Sequence, residues 1–255
     1  MNFYLDLNDK RLPFVSNLLK EAGENTCVFN FENCTGLNKG DVVVLSPAFK
    51  WNEAQAQKLS SEISVVCGKV SEEVLKIFNS KKIKYFNLMS DEDFVLKNAI
   101  LTAEGTLADI ILNTNKSIFD CKILILGSGR VAKAVAVLLS KLGLNFDMTM
   151  RDNFKLLESQ LVCTNIVEWK DYKSKLKNYD IVINTIPVQL FEESDSQKFK
   201  AGSALFELAS IKCLQGFEPE HFKYVFCPAL PSKYTPESAG KLIYQYLLKN
   251  IKGEN

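Results

Sequence analysis

Residues 122–132 of the chain, KILILGSGRVA, join an apolar run to a glycine-rich turn, and this junction limits the possible folds most strongly. Residues 123–126 show no polar alternation, which is typical of a central parallel strand covered on both faces. The run stops at Gly127, and Ala132 completes a G-x-G-x-x-A pattern. Apolar residues then recur at helical spacing as far as Leu142, and Gly143 follows where a left-handed cap is expected. The segment therefore predicts a strand, a turn and a helix in the order of a dinucleotide-binding unit.

The small residues of this turn suit the binding of a pyrophosphate. Gly127 permits the tight turn, Gly129 lets the backbone approach the phosphates, and Ala132 lets the helix pack closely on the strand. The first amides of the helix would then face the anion. The residues predicted to bind the cofactor here are Gly127, Ser128, Gly129, Arg130 and Val131. The alternative is a βαβ turn whose glycines serve turn geometry alone.

The end of the second strand indicates which dinucleotide to expect. A carboxylate at this position binds the ribose 2′-hydroxyl of NAD, whereas an arginine accommodates the 2′-phosphate of NADP. The strand is predicted over residues 145–150, and Arg151 follows it directly, so NADP is favoured. Asp152 keeps NAD open, because its carboxylate would reach the ribose if the strand ended one residue later. The alternative is that both side chains form a solvated surface pair.

Composition predicts an ordinary soluble protein. The 255 residues are 47% hydrophobic and 24% charged, which suffices for two modest domains. A net charge of +1 argues against a nucleic-acid partner or an acidic protein partner. No apolar stretch approaches the roughly 20 residues that span a bilayer, and the N-terminus lacks a basic region followed by an apolar core. We expect a cytoplasmic protein without a membrane partner.

The seven cysteines predict reduced, buried thiols. Their number is odd, no C-x-x-C spacing occurs, and several lie in apolar runs. Because His221 is the only histidine, a zinc site would need clustered thiolates, which the cysteine spacings do not offer, so no metal site is expected. The alternative of a reactive thiol applies to Cys213, which lies in a predicted loop.

The first hundred residues alternate between strands and helices, which predicts a parallel sheet. Predicted strands cover residues 2–7, 27–31, 41–45, 64–67 and 85–88, with a helix ending near Gly23 and others near 51–60 and 72–80. The first strand is not followed by a glycine-rich turn. Residues 1–100 are therefore expected to form a domain on the substrate side.

Residues 101–118 are predicted to form a helix between the domains, with Thr102 as its N-cap and Glu104 in its first turn. Residues 119–255 would form the NAD(P)-binding domain. Its later strands are predicted near 161–163, over 179–187 and 203–208, and from Tyr224, with a last helix capped by Thr235 and Pro236. The expected fold class is α/β, with a C-terminal doubly wound Rossmann domain and a smaller N-terminal α/β domain.

Several ordered blocks resemble the family of the dipicolinate synthase A subunit. They are residues 98–106 (NAILTAEGT), 126–132 (LGSGRVA), 150–151 (MR), 180–187 (DIVINTIP), 207–210 (ELAS) and 228–240 (PALPSKYTPESAG). The likeness covers about residues 84–250. It implies NADP-dependent oxidation of dihydrodipicolinate to dipicolinate in sporulation, and its implied partner is a flavoprotein-like B subunit. A homo-oligomer is the other assembly left open.

Two departures from the family leave open whether this chain uses the family's substrate. After Ser210 the family continues with arginine, proline and paired glycines, whereas residues 211–214 here are IKCL. Lys212 does not replace the planar, bidentate guanidinium. The region between Leu45 and Ile63 is also shorter than usual for the family. A dehydrogenase or reductase for another small acid, or a non-catalytic NADP-binding regulatory protein, therefore remain alternatives.

Further candidate residues lie where predicted strands end or where the bridging helix begins. Glu104 is the candidate proton acceptor, although a carboxylate also suits a first helical turn through the helix dipole. The nicotinamide side would be lined by Thr185, Ile186, Pro187 and Ala209. The candidate substrate contacts, expected to face a cleft between the domains, are Ser46, Gly68, Thr102, Asn184 and Pro231. Turn chemistry alone also explains the Pro and Gly residues of these loops.

Two lysines and the histidine have further expected roles. Lys212 and Lys233 would meet substrate carboxylates, although most lysines are simply solvated. His221 is expected in a surface loop. This placement separates the chain from D-2-hydroxy-acid dehydrogenases, whose hydride chemistry uses a histidine near the last loops.

Overall fold

Two parallel β-sheets, each in its own unit, make up the fold. The computed structural model describes residues 1–32, 34–150 and 163–253. One unit comprises Met1–Asn98 and Pro231–Asn255, and the other comprises Ala99–Leu230. The predicted α/β class, with a doubly wound Rossmann sheet and a smaller α/β unit, is confirmed. In the described part of the chain, no helix is long and apolar enough to cross a membrane.

The first sheet has five parallel strands in the order β2-β1-β3-β4-β5. They are β1 (Phe3–Leu5), β2 (Thr26–Val28), β3 (Val42–Val44), β4 (Ser64–Cys67) and β5 (Lys84–Asn87), with helices α1 (Leu12–Glu21), α2 (Glu53–Lys58) and α3 (Glu72–Ser80) between them. The strand order reverses between β1 and β3. Ligands of open parallel sheets bind beside the carboxyl ends of strands at such a switch point.

Apolar residues on successive positions of β3 explain why helices cover both faces of this sheet. Val43 packs with Leu59 and Phe78 in one cluster, whereas Val42 and Val44 pack in another with residues of α1. Because successive side chains of a strand point to opposite faces, an unbroken apolar run requires a core on each side.

The long helix α4 (Glu92–Asn113) begins earlier than the sequence indicates. Its first turn is capped by Asp91, whose Oδ1 accepts a hydrogen bond from the Phe94 N–H at 2.9 Å. The expected N-cap at Thr102 is therefore wrong. Thr102 and Glu104 lie within the helix, and the Thr102 carbonyl accepts a hydrogen bond from the Thr106 hydroxyl at 2.8 Å.

The second sheet has six parallel strands in the order β11-β10-β9-β6-β7-β8. They are β6 (Ile123–Leu126), β7 (Phe146–Met150), β8 (Asn165–Glu168), β9 (Ile181–Asn184), β10 (Ala204–Glu207) and β11 (Lys223–Phe226), with helices α5 (Arg130–Lys141) and α6 (Tyr172–Lys175). In order along the second unit this is 3-2-1-4-5-6, the arrangement of dinucleotide-binding sheets. The switch point lies between β6 and β9.

The third strand of this sheet differs from the sequence expectation. It was expected near residues 161–163, of which 161 and 162 lie outside the described residues and Cys163 is not in a strand. The strand is instead β8, whose Asn165 pairs with Asp147 of β7. An edge strand with polar ends gives little periodic signal, because only Val167 of the strand is buried.

The C-terminal helices return to the first unit, whereas the sequence expectation assigned residues 231–255 to the nucleotide-binding domain. They are α7 (Leu230–Tyr234) and α8 (Pro236–Leu247), followed by a π-helical turn at Leu248–Lys252. Ile243 and Leu247 pack in one cluster with Leu12 of α1. The approach is close at Gly240, where a Cβ would lie 2.8 Å from the Arg11 carbonyl oxygen. These apolar contacts, together with the ion pair of Lys252 with Glu24, hold the end of the chain in the first unit.

Candidate functional site

The turn after β6 requires glycine at its first position. Gly127 has a φ of +111°, and a Cβ there would lie 2.5 Å from the Thr185 Oγ1 and 3.0 Å from the Ile186 Cγ1. Its N–H donates to the Thr149 carbonyl at 2.9 Å, which ties the turn to β7. The conformation and the proximity of the β9 loop both exclude a side chain.

The second glycine of the turn faces open space. Gly129 is the N-cap of α5 with a φ of −75°, and among the described residues a Cβ would meet nothing within 4 Å. The first helical hydrogen bond joins the Lys133 N–H to the Gly129 carbonyl, so the amides of residues 130–132 precede the hydrogen-bonded ladder. Glycine supplies no capping side chain for these amides. This helix end could therefore hold a phosphate group of a dinucleotide.

Thr185 fastens the end of β9 to the end of β6. Its N–H donates to the Leu126 carbonyl at 3.1 Å, and its hydroxyl donates to the same oxygen at 2.8 Å. The next two residues, Ile186 and Pro187, are half-buried and exposed respectively. The loop expected to line the nicotinamide side is thus held beside the glycine turn. The Thr185 hydroxyl, the first in this loop, is bonded to the Leu126 carbonyl.

The side chain of Asn184 forms hydrogen bonds within the protein. The residue is fully buried. Its Nδ2 donates to Glu207 Oε1 at 2.8 Å and to the Ile186 carbonyl at 3.1 Å, while its Oδ1 accepts from the Ile186 N–H at 3.0 Å. These hydrogen bonds hold the loop after β9, and a direct contact of Asn184 with a substrate stays a prediction.

The buried carboxylate of Glu207 joins this loop to the next one. It accepts hydrogen bonds from the Ala209 N–H at 3.0 Å and from the Cys213 N–H at 2.8 Å, besides that of Asn184. Burial raises the pKa of Glu207, and these hydrogen bonds oppose the rise. Glu207 was not among the residues expected to have a role. The available signal was a single acidic residue at the end of the apolar strand β10.

The loop after β10 buries Cys213 and exposes Lys212. Burial, followed by the charge of Glu207, raises the pKa of the Cys213 thiol far above its usual range, which agrees with an inert thiol. The Lys212 Nζ lies 5.6 Å from the centre of the Phe226 ring. His221 is half-buried and lies edge-on to Phe222. Arg151 and Asp152, on which the choice between NADP and NAD depends, lie outside the described residues.

A second polar cluster lies at the carboxyl ends of β1 and β3 in the first unit. Arg11 is 3% exposed and forms hydrogen bonds to Asp9 through Nε at 2.8 Å and through Nη2 at 2.6 Å. Its Nη2 also donates to the Ser46 hydroxyl at 2.9 Å, and the Ser232 hydroxyl donates to Asp9 at 3.3 Å. Ser46 was a candidate from the sequence, whereas the ion pair was missed because Asp9 and Arg11 lie in no motif. The cluster joins the loops after β1 and β3 to α7.

Three other candidates have structural surroundings that explain them. A Cβ on Gly68 would lie 1.8 Å from the Pro47 carbonyl oxygen, so close packing of two turns demands glycine there. Pro231 is buried and accepts a hydrogen bond from the Thr235 N–H. Thr102 and Glu104 lie two residues apart on α4, so they do not share a face of the helix. Thr102 is half-buried and Glu104 exposed.

Comparisons with known proteins support the family resemblance. No protein-family model matches the chain. The A subunit of dipicolinate synthase from Bacillus subtilis (strain 168) is 28% identical over 174 residues, which are 66% of this chain and 58% of that protein. The match thus spans less than two thirds of the relative's length.

Solved structures share the fold. The crystal structure of the dipicolinate synthase A chain from Bacillus subtilis matches with a TM-score of 0.81 and 19% identity, over 99% of this chain and 96% of that one. The NAD-dependent formate dehydrogenase from Staphylococcus aureus, solved in complex with NAD, matches with a TM-score of 0.62 and 12% identity, over 100% and 97%. The chain is therefore similar to the dipicolinate synthase A subunit in sequence, and to a wider group of dehydrogenases in fold.

The buried ion pair of the first unit should make stability depend on acidic pH. Burial acts to raise the pKa of Asp9, but the hydrogen bonds and charge of Arg11 outweigh it and lower that pKa to about 2, from an ordinary 3.8. The ionised carboxylate then contributes about 2 kcal/mol at neutral pH, and this contribution is lost as the pH falls. About half of it should be gone by pH 3.

We therefore expect Asp9→Asn to lower the free energy of unfolding by about 2–3 kcal/mol at pH 7, because Arg11 keeps a buried, uncompensated charge. Urea unfolding at pH 7, 5 and 3 measures the difference, which should shrink by about half at pH 3. Asp93→Asn is the matched control, since the exposed pair of Asp93 with Lys97 contributes about 0.5 kcal/mol or less. An equal loss for Asp9→Asn at pH 7 and pH 3 would contradict the assignment.

Proposed function

We propose that the chain is an NADP-dependent oxidoreductase that oxidises dihydrodipicolinate to dipicolinate. The similarity to the dipicolinate synthase A subunit motivates the reaction. The observation that carries the dinucleotide part is the N-terminus of α5 at Gly129, which has no side-chain cap and lies beside the turn at Gly127 and the loop that begins at Thr185. These three features meet at the switch point of the second sheet, where such folds bind their cofactors.

The residues fit a dinucleotide in a specific way. The amides of residues 130–132 are placed to bind the pyrophosphate, since Gly129 brings no side chain between them and the ligand. Ile186 and Pro187 supply apolar and exposed surface next to the turn, where the nicotinamide end is assigned. When bound, the cofactor supplies the hydride acceptor. The protein's part is to hold the ring in place and keep the loop rigid through Asn184 and Glu207.

The preference for NADP is assigned to Arg151, which follows β7 in the sequence. A guanidinium at the end of the second strand of such a sheet binds the 2′-phosphate, and Asp152 would serve NAD in the same place. We assign the acceptor of the substrate proton to Glu104, whose carboxylate is exposed on α4. A flavoprotein-like B subunit is the proposed partner.

The loop at residues 211–214 favours a second candidate, a dehydrogenase for another small acid. The family's arginine is absent there, and the exposed Lys212 lies against an aromatic ring instead of presenting a planar fork. A substrate with one carboxylate, or with carboxylates spaced differently, would suit this loop better than one that needs bidentate binding.

Turnover tests the reaction. The full chain, with NADP and freshly prepared dihydrodipicolinate, should produce NADPH and dipicolinate, either alone or after addition of the B subunit of a dipicolinate synthase. The controls omit the substrate or replace it with dipicolinate, and neither should form NADPH. If NADP binds but dihydrodipicolinate stays unchanged under both conditions, dihydrodipicolinate is rejected as the substrate, which leaves a dehydrogenase for another small acid or a regulatory NADP-binding protein.

Gly129→Ala should separate binding of a dinucleotide from a structural need for glycine. The φ of −75° suits alanine, and a Cβ meets nothing among the described residues, so the melting temperature should not change. The affinity for NADPH, measured by fluorescence titration, should fall about tenfold or more, because the methyl group occupies the space of the pyrophosphate. Gly36→Ala, also without neighbours within 4 Å among the described residues, is the control and should bind normally. A lower melting temperature with unchanged affinity would mean that Gly129 serves the fold alone.

Arg151→Ala should distinguish the two nicotinamide cofactors. Loss of charge-assisted hydrogen bonds to the 2′-phosphate should weaken NADPH about 10- to 100-fold and leave NADH nearly unchanged. Titration of both nucleotides against parent and variant measures this ratio, with the exposed Lys20→Ala as control. Equal losses for both nucleotides would reject the role of Arg151 and return Asp152 as the ribose ligand.

A further inference from the structure

A cavity of about 440 Å³ lies at the amino-terminal ends of strands in the second sheet, whereas the glycine turn lies at the carboxyl end of a strand. Its wall includes Ile181 and Ala204, which begin strands β9 and β10, and the last residues of α4. The glycine turn follows the carboxyl end of β6. Because all six strands run parallel, the cavity and the turn lie at opposite ends of the strands. The volume is in the range of small-molecule pockets.

Asp180 arranges two ammonium groups beside this cavity. Its Oδ1 accepts hydrogen bonds from the Lys200 Nζ at 2.7 Å and from the Lys116 Nζ at 3.0 Å, and its Oδ2 accepts from the Lys122 N–H at 3.0 Å. Partial burial acts to raise the pKa of Asp180, but these hydrogen bonds hold it far below the usual range. The carboxylate therefore stays ionised at neutral pH and keeps both ammonium groups on one oxygen atom.

The base of this arrangement is rigid. The Asp180 N–H donates to the Lys122 carbonyl, and its own carbonyl accepts from the Ala204 N–H, both at 2.9 Å. Asp180 is thus fixed to the neighbouring strands on either side of β9. Because both lysines are already hydrogen-bonded to a fixed carboxylate, they lose less conformational entropy on binding a ligand than two independent surface lysines.

The lining carries an excess of positive charge. Lys223 adds a third ammonium group, which donates to the Asn113 carbonyl at 3.3 Å, whereas Asp180 is the acidic side chain among the lining residues. Each ammonium group has three N–H donors, so donors remain after these bonds. The described lining contains lysines and no arginine. Lysine ammonium groups act as point charges and bind phosphate groups, as the lysine of phosphate-binding loops does.

A buried hydroxyl in the same wall lacks a hydrogen bond. Ser203 is 2% exposed, and its Oγ has no hydrogen-bond partner among the described residues. Unsatisfied buried polar atoms are rare, because they lose their hydration without compensation. A ligand in the cavity would satisfy this hydroxyl if a rotation of the Ser203 side chain brought its oxygen to the cavity surface.

We propose that this cavity binds a small phosphate-bearing anion through Lys116, Lys200 and Lys223. The site is separate from the dinucleotide site, since the two lie at opposite ends of the parallel strands. The inference does not depend on the proposed oxidoreductase activity.

Titration of the full chain with inorganic phosphate and with pyrophosphate, at low ionic strength, tests the site. Calorimetry should show saturable binding, and either anion should raise the melting temperature. The double variant Lys200→Gln with Lys223→Gln should weaken binding about tenfold or more, because charge-assisted hydrogen bonds are lost. Lys241→Gln, which removes an exposed lysine paired with Glu237, is the matched control and should bind like the parent.

Further variants keep the test decisive. Lys223→Gln leaves the two lysines on Asp180 in place, so it should weaken binding even if the double variant is unstable. The same titrations are repeated in the Gly129→Ala background, which weakens anion binding at the glycine turn, so that the saturable binding that remains reports the cavity. Absence of saturable binding by the parent chain would overturn the proposal. So would binding that survives the loss of Lys200 and Lys223.

Discussion

The close approach of Gly127 to Thr185 is the contact on which the centre of the second unit depends. Strands β6 and β9 are neighbours in the sheet although about fifty residues separate them in the chain. Thr185 can donate twice to the Leu126 carbonyl only because Gly127 leaves space for its side chain. The turn before α5 and the loop after β9 therefore begin from one hydrogen-bonded point. Their relative position is set by one backbone hydrogen bond and by the hydroxyl of Thr185.

Both sheets place a buried polar pair behind the loops of their switch points. In the second unit the pair is Asn184 with Glu207, and in the first it is Asp9 with Arg11. Burial of such groups is costly, and each is offset by several hydrogen bonds to neighbouring loops. These pairs contribute geometry more than net stability, because apolar residues would fill the same volume at lower cost. They hold loops that lie where ligands of parallel sheets bind.

The sequence predicted what depends on local patterns. β4 (Ser64–Cys67) and α3 (Glu72–Ser80) occur within the expected bounds, since an apolar run and a capped amphipathic helix are visible in short windows. Gly143 has the expected positive φ of +72°. The start of α4 was missed because Asp91, its cap, lies in a polar stretch where several residues would serve equally well. The unit to which α8 belongs depends on contacts with α1, more than two hundred residues away, and no local pattern indicates them.

The site divides in the same way. The glycine turn was visible as a motif, whereas the positions of Asn184 and Glu207 depend on two strands that meet only in the folded sheet. The two glycines of the motif have different explanations. The chain itself accounts for Gly127, through its φ and the proximity of Thr185. It does not account for Gly129, whose conformation any residue adopts and whose missing side chain leaves space that the described residues do not fill. The dinucleotide proposed for this site would account for glycine here, because its pyrophosphate would approach the backbone closely beside the helix N-terminus.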